Sequence, residues 1–91
     1  MDTPKTIPPQ LHWACRRGML ELDVLLGNFL REAYLTLTPE DQQNFVYLLK
    51  CEDQELFNWL TGKETAPEPI LCDMVEKVRR HAKTRHSASS F

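Results

Sequence analysis

MLELDVLLGNFLREAYL, residues 19–35, sets Met19, Leu22, Leu26, Phe29, Leu30 and Ala33 at intervals of three and four. At 3.6 residues per turn these side chains share one face, so the segment predicts an amphipathic helix with that face turned to a core. Leu20 and Val24 fall on the opposite side with Gly27 and Arg31. A lone small domain has nothing to pack on that side, which marks the two apolar residues for an interface or for simple exposure. The same periodicity continues outward in both directions. Upstream, Leu11 to Arg17 makes about two turns, and Gly18 is expected to supply the left-handed residue that commonly closes a helix. Pro4, Pro8 and Pro9 stand before it and prevent regular backbone bonding, so residues 1–10 read as a flexible arm.

Downstream, Thr38-Pro39-Glu40-Asp41 is a helix start, with Thr38 as N-cap, Pro39 at the first helical position and acids facing the positive end of the dipole. Phe45, Leu48 and Leu49 then give a buried stripe up to Lys50. Asp53 is expected to cap the next segment, Gln54 to Thr61, whose Leu56, Phe57 and Leu60 share a face before Gly62 ends it. GKETAPEP, residues 62–69, is the one substantial internal loop. Pro69 opens a last helix in which Leu71, Met74, Val75, Val78 and Ala82 form a continuous stripe, and HSASSF beyond it is expected to fray. Trp13 and Trp59 are both expected to seal the bundle edge. No segment alternates apolar and polar residues as a strand would. The reading is all-α: a compact irregular five-helix bundle, a single domain over residues 11–83, with a flexible tail at 84–91.

Size agrees with this. The 91 residues, 42% apolar and 26% charged, suit one small globular domain. Such a chain buries only roughly 60–65% of its unfolded surface and has little interior to spare for a cofactor. The net charge of −2 conceals an asymmetry: residues 1–76 hold six cations and thirteen anions, whereas 77–91 hold five cations and no acid. A basic last helix complements its own dipole, and also offers a weak footprint for an anionic partner; nucleic acid and membrane insertion are not expected. Cys15, Cys51 and Cys72 are odd in number and widely spaced, which fits buried thiols in a reducing compartment, and the cytoplasm is expected.

Several chemistries lack their residues. Gly18, Gly27 and Gly62 cannot write a phosphate-cradling loop. His12 and Cys15 share a helix face, but no other ligand spacing completes a metal site with them. No base can be argued beside a cysteine or serine nucleophile, and the pairs Glu21 with Asp23 and Glu52 with Asp53 are more economical as helix-start charges. No catalytic residue and no metal ligand is assigned.

What remains is Arg16-Arg17-Gly18-Met19-Leu20-Glu21-Leu22-Asp23, cations, a glycine and acids at the junction of two helices. It reads as capping chemistry, or as a surface where Arg17 forks onto a partner carboxylate or carbonyl and Glu21 accepts from a partner donor. At these residues the chain resembles the SdhE family of FAD assembly factors for succinate dehydrogenase and fumarate reductase. The resemblance rests on Arg-Gly-x-x-Glu, here Arg17, Gly18 and Glu21 within HWACRRGMLELD, and on LLKCEDQELFNWL, residues 48–60, in the same order. It covers about residues 11–80. It implies a five-helix bundle that binds the flavoprotein subunit of the respiratory enzyme and promotes covalent attachment of FAD to a histidine of that subunit. The chain itself would hold no FAD stably and would be a monomer. Arg17, Gly18 and Glu21 carry over as the partner-binding motif, with Arg16 and Met19 as flanking contacts. An antitoxin-like regulatory module using the same surface on a different partner stays open beside this reading.

Overall fold

The computed structural model describes residues 7–88. It contains α1 (Pro9–Ala14), α2 (Leu20–Ala33), a 3₁₀ turn (Tyr34–Thr36), α3 (Pro39–Leu49), α4 (Asp53–Leu60) and α5 (Pro69–Ala88). The expected five helices are present, and among the described residues there is no strand. Residues 1–6 of the expected arm and 89–91 of the expected tail lie outside the described residues. Pro9 and Gln10 already belong to α1, and α5 continues through 84–88.

The core forms where the periodicity places it. Leu22, Leu26, Phe29 and Leu30 of α2 meet Phe45, Leu48 and Leu49 of α3 and Leu71, Met74, Val75 and Val78 of α5, all buried. Phe29 and Phe45 pack with ring centroids 5.1 Å apart, and Tyr34 lies 6.2 Å from Phe45, so the 3₁₀ turn that follows α2 is anchored by an aromatic cluster. α5 is the long central element, packing against α2, α3 and α4. Thr38 Oγ1 accepts from the Asp41 N–H at 3.1 Å and Pro39 takes the first turn of α3, as its sequence demands. Such a cap contributes about 1 kcal/mol.

Four local expectations are corrected. α4 begins one residue early: Glu52 is its N-cap, and its N–H donates to Glu55 Oε1 at 3.3 Å in a capping box, leaving Asp53 for another role. Trp59 rather than Phe57 completes the inward face with Leu56 and Leu60, because positions i, i+3 and i+4 align there; Phe57 is half-buried under the Lys63 ammonium, 5.3 Å from its ring centre. Trp13 does not seal the bundle; it is 74% exposed, since Leu11 and Cys15 take the inward positions of short α1. Gly18 does not adopt a left-handed conformation. Among the described residues only Gly62, at φ 84°, does so, following the end of α4.

Three cations of the basic last helix, Lys77, Arg80 and Arg85, meet acids within the fold. Lys77 reaches Asp73 at 2.8 Å and Asp41 of α3 at 3.9 Å. Arg85 Nε and His81 Nε2 both donate to Glu32 of α2, at 2.9 and 3.0 Å, and the Arg85 hydrogen bond is the main reason the Glu32 carboxyl titrates below its ordinary range. These contacts tie α5 to α2 and α3. No helix among the described residues is long and apolar enough to cross a membrane.

Candidate functional site

The corner between α1 and α2 is built around one side chain. α1 ends at Ala14 and α2 begins at Leu20, and between them Arg17 turns inward, its side chain only 12% exposed. Its Nη1 donates to the carbonyls of Ala14, at 2.7 Å, and Leu49, at 3.0 Å; its Nη2 donates to the Cys51 carbonyl at 2.6 Å; and its Nε donates to Asp53 Oδ1 at 2.8 Å. One guanidinium thus satisfies carbonyls at the C-terminal ends of α1 and α3, the helix ends that a cation complements, and it meets a carboxylate in the first turn of α4. The second oxygen of Asp53 accepts from the Gly18 N–H at 3.1 Å. Two chain corners, 36 residues apart in sequence, are locked together through Arg17 and Asp53.

This gives Arg17 a structural role that the sequence does not show: four of its five guanidinium N–H groups are bonded within the fold, and little of the side chain faces outward. The neighbours differ. Glu21 is exposed and has no hydrogen bond or ion pair among the described residues. Arg16 keeps its side chain 70% exposed, with its nearest acid, Asp23, at 3.8 Å. Gly18 is exposed, whereas Met19 occupies the extended N-cap position of α2 and packs partly on the core. A Cβ built on Gly18 would meet only Asp53 Oδ2, at an ordinary 3.5 Å, so neither backbone conformation nor internal crowding demands glycine here. What its missing side chain does provide is a bare stretch of backbone on the outer surface, open to close approach by another chain.

Asp53 was legible only as a helix cap. The pairing with Arg17 is long-range, and the sole trace of it in the sequence is that the two matching strings, HWACRRGMLELD and LLKCEDQELFNWL, contain one partner each. Cys15 sits beneath the corner, and burial pushes its thiol up to about 11, the behaviour of a packed group and not of a nucleophile. Burial also raises the half-buried Cys51 thiol. Among the described residues no group of three or more His, Cys, Asp or Glu side chains is arranged to hold a metal ion.

The fold and this corner define a small all-α bundle with one guanidinium locked inside a helix junction and Arg16 and Glu21 exposed on its outer surface. Residues 9–82 match the family model described as flavinator of succinate dehydrogenase, and the chain belongs to that family. It is 52% identical to the FAD assembly factor SdhE of Shewanella oneidensis over 73 residues, which are 80% of this chain and 89% of the relative. It is 43% identical to the FAD assembly factor SdhE of a Serratia species over 77 residues, 85% of this chain and 88% of the relative. The protein of the same name from Aliivibrio fischeri is 44% identical over 72 residues, 79% and 84% of the two chains.

Proposed function

We propose that this chain is an assembly factor that docks through its α1–α2 corner on the flavoprotein subunit of succinate dehydrogenase or fumarate reductase and promotes covalent attachment of FAD to a histidine of that subunit. The observation that carries the reading is the division of labour within the motif: Arg17 is consumed in holding the corner, while Gly18 and Glu21 face outward on it. In a chain belonging to the flavinator family, that is the arrangement of a rigid handle.

Each residue then has a distinct part. Glu21, an unpaired carboxylate, accepts hydrogen bonds from the partner. Gly18 lets the partner's surface come close to backbone, and Arg16 and Met19 flank the contact. Arg17 acts at one remove by keeping the corner in shape. The flavin and the histidine that bonds to it belong to the partner, and this chain binds no FAD stably. Its contribution is to favour the partner conformation in which histidine and flavin face one another, a gain in orientation that lowers a barrier without acid, base or metal from the helper. The chain works as a monomer in the cytoplasm, as a scaffold and not as a catalyst.

Depleting this chain in its native host and denaturing the flavoprotein subunit afterwards tests the reading. The subunit is expected to lose most of its covalently retained flavin while its polypeptide level changes far less. A subunit as fully flavinylated without this chain as with it contradicts the proposal.

A further inference from the structure

Beside the corner, α1 and α2 diverge around an open cleft of about 510 Å³ whose walls include Trp13, Arg16, Val24 and Arg31. Its apolar side is open to solvent. Trp13 is 74% exposed, Val24 is 49% exposed, and Leu20, one turn before Val24 on the same face of α2, is 74% exposed. A tryptophan is the side chain with most to gain from burial, and exposed aromatic and arginine side chains together are the composition of binding hot spots.

The charged side has a sign. Arg16 meets an acid only at 3.8 Å, and Arg31, across the cleft, donates to the neutral Asn28 Oδ1 at 2.6 Å. Gly27 forms the floor between them. A Cβ on Gly27 would stand 3.2 Å from Arg31 Nη1, a tight contact that a small shift of the guanidinium would relieve, so the Arg31 side chain lies directly over Gly27. Against two guanidinium groups the cleft holds one carboxylate, Asp23, on a chain whose net charge is −2. The cleft is also continuous with the corner, since Arg16 adjoins Arg17 and Gly18, and Leu20 adjoins Glu21.

We infer that this cleft receives an acidic segment of the flavoprotein partner, with an apolar side chain set against Trp13 and Val24 and a carboxylate taken up by Arg16 and Arg31. The inference rests on the docking role proposed above and extends its footprint along α2. Charge complementarity selects the occupant: a basic or purely apolar segment would leave the cleft's excess positive charge, two guanidinium groups against the one carboxylate of Asp23, unmatched.

The test is calorimetric titration of the full chain into the purified flavoprotein subunit, with thermal melts of every variant. R16E/R31E is expected to bind roughly 100-fold more weakly and to lose most of the salt dependence of the unaltered chain, the scale expected for reversing two interfacial charges. W13A, which removes an exposed side chain and leaves the core intact, is expected to weaken binding at least about tenfold. If both variants bind as the unaltered chain does while E21A binds weakly, the cleft is not part of the interface and the docking role of the corner stands. If the unaltered chain does not bind the subunit at all, both proposals fall. A free chain that proves dimeric and is made monomeric by W13A, with subunit binding unchanged, places a second copy in the cleft and overturns the inference.

Discussion

Replacing Arg17 by alanine is expected to lower the melting temperature by roughly 12–24 °C, from a loss of about 3 kcal/mol at roughly 4–8 °C per kcal/mol for a domain of this size. The cost is large because the substitution removes more than an ion pair. It strips donors from the carbonyls of Ala14, Leu49 and Cys51 and leaves Asp53 facing a vacated, largely shielded site. Arg17→Lys is expected to recover less than half of the loss, since an ammonium has no planar fork with which to span carbonyls from two helix ends and a carboxylate from a third. Asp53→Ala should cost less than Arg17→Ala, because the remaining guanidinium keeps its three carbonyl bonds. Thermal denaturation followed by far-ultraviolet circular dichroism checks all three, and a fall of less than about 4 °C for Arg17→Ala would show that the network is not what holds the two corners together.

Glu21→Ala is expected to do the opposite: to leave the melting temperature within a few degrees of the unaltered chain and to reduce covalent flavin on the co-produced partner subunit at least about tenfold. Glu21 is exposed and has no partner among the described residues, so the fold loses only a helix-start charge, a matter of tenths of a kcal/mol. At the proposed interface the same side chain is desolvated and bonded, and its removal leaves the partner's donors without an acceptor. Flavin fluorescence of the denatured subunit on a gel reads the outcome directly. Comparison of the two variants separates the two kinds of motif residue, since Arg17→Ala should impair flavinylation in step with stability and Glu21→Ala should impair it alone.

The helices themselves were legible because each signal for them is local. The three- and four-residue spacing of α2 and α5, the Thr38-Pro39 start of α3 and the Gly62 stop of α4 act within a turn or two of chain, and each appears in the structure where the sequence puts it. Where the sequence misled, competing residues were adjacent or the deciding contact was distant. Phe57 and Trp59 both suit an apolar face of α4, and only packing against the other helices chooses Trp59. α1, with six residues, is too short for its period to place Trp13. Asp53 has the right chemistry for an N-cap, and local reasoning assigns it there; the Arg17 guanidinium approaching from 36 residues away claims it instead. The same contact decides the site. Arg17, Gly18 and Glu21 were legible as a motif, but which of them faces outward depends on α3 and α4, whose termini absorb the arginine and leave the glycine and the acid on the surface.

The central claim is that the α1–α2 corner is the handle by which this chain grips the flavoprotein subunit. Amide hydrogen exchange of the full chain, measured with and without that subunit, tests it most directly. Protection on complex formation is predicted for residues 16–24, with the exchange of α3 and of the buried length of α5 unchanged by docking. Protection confined to α3–α5, with residues 16–24 exchanging as they do in the free chain, would contradict it.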